Sequence, residues 1–249
     1  MVIDASESEI ERILQERLKR VRTAIDEAAR KANRKPEEIT LIGVSKQFPP
    51  KIALAAYRAG LKDLGENRVQ DLLEKKRYLD DAGGCVNWHL IGTLQRNKVR
   101  QIIGQVCLIH SVDSLPLLSE ISKRSVLSGV TTDVLMQVNS SGENSKHGFQ
   151  PDEVISAFEA GQNLPQVRIC GLMTMAQQTE NPDETLPVFS LTRSIFETIR
   201  EQFGTPPHFA VLSMGMSQDF VQAISCGATH VRIGTALFGP RPKRDFASF

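Results

Sequence analysis

The stretch HFAVLSMGMSQDFVQAISCGATHVRIGT, residues 208–235, decides the fold. It opens on an apolar run, 208–212, that does not alternate with polar residues, as expected of a strand buried on both faces. The small-residue turn Ser213-Met214-Gly215-Met216-Ser217 follows, then a helical pattern over 218–225 and a second apolar run over 230–234. Strand, crossover helix and strand in that order predict a right-handed βαβ unit with parallel strands. By strand alternation Arg232 and Gly234 share one face, and Val231 and Ile233 take the other.

The same alternation recurs upstream. Apolar runs at 40–45, 63–65, 88–92, 106–112, 133–139 and 167–173 are separated by helical patterns at 50–59, 68–79, 94–103, 114–127, 151–160 and 185–203. Eight βα units within 249 residues predict a (β/α)8 TIM barrel. A doubly wound open sheet is the alternative, because periodicity does not report closure. A long amphipathic helix precedes the first strand, with Ser6 or Ser8 as N-cap and Ile10, Ile13, Leu14, Leu18 and Val21 as its apolar stripe. Residues 1–249 are expected to form a single domain with a barrel core at about 38–240, and 142–146 and 177–184 to be surface loops.

Composition narrows the partners. Thirty Lys and Arg against 29 Asp and Glu leave a formal charge of +1, which argues against a dedicated nucleic-acid binder or a polybasic membrane clamp. No apolar run approaches the ~20 residues of a membrane span. The acidic N-terminus lacks a signal-peptide pattern. Cys85, Cys107, Cys170 and Cys226 are widely spaced, with no Cys-x-x-Cys pair, so neither a disulfide framework nor a metal site is expected. A soluble, cytoplasmic protein is the expectation.

In such a barrel the informative residues lie just after each strand. Lys46 ends the first; an isolated lysine there is ordinarily a solvated charge, but partial burial could make it a Schiff-base amine. Asn67, after the second, reads either as a helix N-cap or as an amide offered to a ligand, with Glu66 near the helix dipole. His89 and His110 read as hydrogen-bonded core residues more readily than as general bases. Lys146, in a loop, reads as a solvated lysine. The loops after strands seven and eight, Ser213–Ser217 and Gly234-Thr235, suit phosphate binding by backbone N–H groups and small hydroxyls. An inward Arg232 needs an anionic or acceptor partner. Lysine, phosphate loops and arginine together describe a site for a phosphate-bearing aldehyde, and pyridoxal 5′-phosphate (PLP) fits all three.

The motifs VSKQ at 44–47, GEN at 65–67, HLIGTLQRNK at 89–98, HSVDS at 110–114, GLMTM at 171–175 and SMGMSQDFVQAISCGATHVRIGTALFG at 213–239 resemble the pyridoxal phosphate homeostasis proteins. These are single-domain relatives of the alanine racemase barrel, of the kind called fold type III among PLP proteins. The resemblance implies that Lys46 carries PLP as an internal aldimine. It further implies that Ser213, Met214, Gly215, Gly234 and Thr235 surround the phosphate, Asn67 lies near the ring, and Arg232 faces the pyridine nitrogen. An arginine there donates a hydrogen bond and keeps its proton, which makes the cofactor a poorer electron sink than a carboxylate would.

The function so implied is PLP (vitamin B6) homeostasis, with an effect on amino-acid balance and no robust catalysis. No catalytic residue is assigned. The partners implied are PLP, related B6 vitamers and PLP-dependent apo-enzymes, the protein itself being a monomer or weak homodimer. The alternative is a PLP-dependent amino-acid racemase, which needs an acid/base group on each face of the substrate. The two tyrosines, Tyr57 and Tyr78, fall in outer helices, and one barrel uses the whole chain. A Schiff-base aldolase acting on sugar phosphates is a third reading of the same lysine and loops.

Overall fold

In the computed structural model the strands Thr40–Val44 (β1), Asp63–Glu66 (β2), Asn87–Leu90 (β3), Leu108–Val112 (β4), Thr132–Gln137 (β5), Val167–Met173 (β6), Val211–Ser213 (β7) and His230–Ile233 (β8) pair in parallel. Each pairs with the next, and β8 closes on β1, with Ile42 opposite Arg232 and Gly43 opposite Ile233. The barrel expectation holds and the open sheet is excluded. The structure describes residues 6–142, 147–204 and 207–240. Lys146 and the tail from 241 lie outside them.

Between the strands run Pro50–Arg58 (α2), Val69–Asp81 (α3), Val99–Ile102 (α4), Leu115–Ser128 (α5), Val154–Gly161 (α6), Leu186–Gln202 (α7) and Phe220–Ser225 (α8), and Thr235–Phe238 (α9) follows β8. The leading helix Glu7–Lys31 (α1) is capped by Ser6, whose side chain accepts from the Glu9 N–H. It buries Ile10, Leu14, Leu18 and Val21 against α2, α8 and α9, beside the β1–β8 seam. The expected helix at 94–103 is shorter than its apolar pattern. A 3-10 turn, Arg96–Lys98, precedes α4, and Ile103 turns extended at ψ 128°.

Alternation sorts the side chains into two layers. Leu64, Trp88, Leu90, Ile109, Leu212, Val231 and Ile233 pack outward against the helices, while Leu108, Leu135, Cys170 and Met173 form a separate apolar cluster inside. A side chain on Gly43 would strike Leu61, which lies in the outer layer. Ile42 and Val44 therefore point inward, and Lys46 continues their face. Gly171 (φ 150°) is needed where β6 meets β7, because a Cβ there would lie 1.8 Å from the Val211 carbonyl oxygen.

Candidate functional site

The β1–β8 seam gathers the chemistry. Lys46 lies two residues past β1 and is half-buried. Gly234, one residue past β8, would place a Cβ 3.6 Å from the Val44 carbonyl oxygen, so the two strand ends are neighbours at the mouth. Val44 pairs with Gly65 on the other side, and Asn67 follows β2 by one residue, at the same end of the barrel as Lys46. Asn67 is half-buried and is not the cap of α3; that position belongs to Arg68, which makes no side-chain cap bond. Gly92 lets the loop after β3 touch Asn67, since a Cβ on Gly92 would lie 2.4 Å from the Asn67 carbonyl oxygen.

The turn into Lys46 is pinned from outside the barrel. Glu66 is fully buried and accepts from the Ser45 hydroxyl at 2.5 Å and from the Lys75 ammonium at 2.5 Å. Lys75, on α3, also donates to the Ser45 carbonyl at 2.8 Å. Burial pushes the Glu66 carboxyl up, and the adjacent Lys75 charge opposes that without overcoming it. Its second oxygen, Oε2, is buried with no hydrogen-bond partner among the described residues. The sequence reading missed Lys75 and took Glu66 for a residue near a helix end.

The loops after β7 and β8 form one cradle. Ser217 Oγ accepts from the Gly234 N–H at 3.2 Å and from the Ala236 N–H at 3.4 Å, tying the loops together. Gly215 sits at φ +91° and leaves no room for a Cβ, which would fall 2.6 Å from that of Ala223. Thr235 is exposed at the start of α9. Met214 packs in the outer core and gives its N–H to the His230 carbonyl, so it enters the site as scaffold. Ser217 acts as the link here, a role that sequence alone gave no reason to separate from its neighbours.

Arg232 is 4% exposed and points inward, as alternation predicts. Nη1 donates to Ser213 Oγ at 2.5 Å and Nη2 to the Thr174 carbonyl at 2.8 Å. Burial lowers its pKa to about 10, with Asp219 opposing, and it stays cationic at neutral pH. Ser213 therefore joins the site through the arginine, its hydroxyl being shared with His110 as well. His89 and His110 are buried on the inner faces of β3 and β4, as core residues should be. Tyr57 and Tyr78 lie on α2 and α3.

The donor set suits a particular group. A half-buried amine, an inward cation and two glycine-bearing loops with paired N–H groups and hydroxyls offer partners for an aldehyde, a ring nitrogen and a phosphate. Residues 14–242 match the alanine racemase N-terminal domain family. The chain is 44% identical over 227 residues to the pyridoxal phosphate homeostasis protein of Aquifex aeolicus, covering 91% of this chain and 97% of that one. This chain belongs to the pyridoxal phosphate homeostasis family. It is 39% identical to the family's Pseudomonas aeruginosa member, across 91% and 95% of the two chains. Among solved structures, family-like PipY of Synechococcus elongatus with PLP bound superposes with a TM-score of 0.77 at 33% identity, covering 91% of this chain and all of that one. No helix among the described residues is long and apolar enough to cross a membrane.

Proposed function

We propose that the protein holds PLP in the barrel mouth, with Lys46 as its covalent anchor, and serves PLP homeostasis by keeping and releasing the cofactor. The observation that carries this reading is the β1–β8 seam, where Arg232 lies opposite Ile42, Gly234 lies against Val44, two residues before Lys46, and Ser217 ties the loops after β7 and β8 together. The family names and the PLP-bound PipY support it from outside. When bound, PLP supplies an electrophilic aldehyde carbon and an electron-withdrawing ring.

The chain's own residues supply the rest. Lys46 provides the amine, half-buried, on a turn held by Ser45, Glu66 and Lys75. Gly215, Ser217, Gly234 and Thr235 offer backbone N–H groups and hydroxyls to a phosphate, whose oxygens compete for the donors that Ser217 now accepts. Asn67, one residue past β2 and half-buried, offers its amide from the same end of the barrel. Arg232, cationic up to about pH 10, donates to an acceptor nitrogen and retains its own proton. Release to PLP-dependent apo-enzymes, and through them an effect on amino-acid balance, completes the reading.

The test is direct. PLP is added to the purified protein, the visible spectrum is recorded, and the sample is reduced with borohydride for peptide mass analysis. A visible band, with the added mass on the peptide carrying Lys46, is expected. A protein that stays colourless and unmodified in excess PLP overturns the reading and favours an aldolase-type lysine.

A further inference from the structure

Below the mouth, Arg232 heads a single file of polar groups in the barrel interior, whose histidines and carboxylate the proposed function does not use. Arg232 Nη1 meets Ser213 Oγ at 2.5 Å, and Ser213 Oγ meets His110 Nδ1 at 2.8 Å. His110 Nε2 meets His89 Nδ1 at 3.0 Å, and His89 Nε2 meets Asp63 Oδ1 at 3.2 Å. Ser213, His89, His110 and Arg232 are each at most 4% exposed. Asp63 is the first residue of β2, so the file ends among the N-terminal ends of the strands, opposite the mouth.

With neutral imidazoles its polarity follows from its ends. A guanidinium only donates and a carboxylate only accepts. Ser213 takes a hydrogen bond from Arg232 and, with both imidazoles neutral and Asp63 ionised, gives its own proton to His110 Nδ1. His110 then carries its proton on Nε2 and gives it to His89 Nδ1, and His89 gives its Nε2 proton to Asp63. In that order both imidazoles are Nε2–H tautomers, and each contact has one donor and one acceptor. With neutral rings, reversing any link would set two donors or two acceptors face to face, at a desolvation cost of roughly 1–3 kcal/mol per orphaned group. The opposite order, with Ser213 accepting from both neighbours, requires a doubly protonated His89, a second cation buried in the file beneath Arg232.

The flanking groups agree with this order. Burial, the largest cause, and the Arg232 charge hold His110 well below the ordinary histidine value. Burial raises the Asp63 carboxyl, but hydrogen bonds from His89 and Asn87 outweigh it and leave the group lowered, hence ionised. His230 packs its ring 6.3 Å from that of His89 and 6.4 Å from that of His110, and stands outside the file on Thr229. Cys107 Sγ lies 3.4 Å from His89 Nε2, but burial and the Asp63 charge push its thiol up to about 12, although the residue's outer edge is exposed, so it adds no anion.

We propose that Asp63, His89 and His110 are positioning residues for Arg232, forming a one-way hydrogen-bond relay that couples the cation in the mouth to a carboxylate at the opposite end of the barrel. The part of this that concerns the cofactor rests on the reading of Arg232 as the partner of the PLP ring nitrogen. The relay fixes Ser213 as an acceptor, which with the Thr174 carbonyl sets the guanidinium plane. Electron density drawn from Asp63 through two neutral imidazoles makes Ser213 a stronger acceptor, and tempers how strongly Arg232 donates to a ligand. The same arrangement explains why two histidines can be buried side by side beneath an arginine without repelling it.

Long-range proton–nitrogen NMR on the cofactor-free protein reads the tautomers without any variant. His89 and His110 should both be neutral Nε2–H forms, and Asp63→Asn should shift the ring nitrogens of His110, which it does not touch. An Nδ1–H tautomer in either ring, a protonated His110, or an unmoved His110 in D63N overturns the relay whether or not PLP binds. In PLP-loaded protein, D63N should displace the visible absorbance maximum relative to the parent; an unchanged maximum overturns the coupling to the cofactor. If the NMR results are as expected and PLP does not bind at all, the relay stands and the functional reading alone fails.

Discussion

Lys75 donates a hydrogen bond of 2.8 Å to the carbonyl oxygen of Ser45, the peptide group that leads directly into Lys46. One lysine on an outer helix thus sets the position of another in the mouth, and it does so as the only cation paired to the buried Glu66 among the described ion pairs.

Removing that cation should be expensive. Lys75→Ala leaves the Glu66 charge buried without its counter-ion, a situation that costs about 3–5 kcal/mol. Urea unfolding at pH 7 reads the loss. Because burial already raises the Glu66 carboxyl, the deficit should shrink as the pH falls and Glu66 takes up a proton. The pair replacement Lys75→Met with Glu66→Gln should recover most of the stability.

Lys46→Ala should separate holding from folding. The side chain is half-buried at the mouth, and its truncation should change stability by no more than about 1 kcal/mol. The visible band and the borohydride-fixed mass should both vanish. A K46A protein that still fixes PLP would move the anchor elsewhere.

Two glycines of the cradle should behave differently. Gly215→Ala forces a side chain into a left-handed backbone and to within 2.6 Å of Ala223 Cβ, so it should cost on the order of 1–3 kcal/mol in thermal or urea unfolding. Gly234→Ala meets only ordinary contacts at Val44, and its stability should match the parent. A weakened affinity for PLP in both, measured by absorbance titration, would assign both loops to the phosphate.

Acid should weaken the fold before it reaches the carboxylates. Burial, with the nearby His89, lowers His230 from 6.5 to about 4 in the folded state, although Asp63 pulls the other way. A depressed histidine stays neutral when folded and takes a proton on unfolding. Its contribution is therefore complete above pH 6.5 and is lost as the pH falls towards about 4. That shift corresponds to about 3 kcal/mol. Unfolding free energy measured between pH 7 and 4 should fall, and His230→Asn should flatten the curve.

The barrel was legible because its strands are bare apolar runs spaced by helices; 167–173 matches β6 residue for residue. The turn lysine, the two glycine loops and the inward Arg232 were legible for the same reason, since strand ends and strand parity place them. Lys75 was not, although Val69, Leu72, Lys75 and Leu79 are the buried residues of α3. A lysine on an apolar stripe is a signal, but its neighbour Lys76 hides it, and only the tertiary partner Glu66 distinguishes the two. The relay was illegible for a different reason. His89 and His110 each look like a lone core histidine, and pairing them requires the distances across the barrel, which no local pattern carries.

The closure of β8 on β1 has a consequence for how the protein meets its ligand. Lys46 and the loops carrying Ser217 and Gly234 lie about 170 to 190 residues apart along the chain, so they are brought to one seam only after the two ends of the ring have joined. A molecule gripped by both acts as a latch on that seam. It binds the finished barrel and has nothing comparable to bind in an open one, so saturating ligand at 100 times its Kd should add about 2.7 kcal/mol to stability. On the proposed reading, unfolding followed at rising PLP concentrations should show this latch as a midpoint that climbs with ligand.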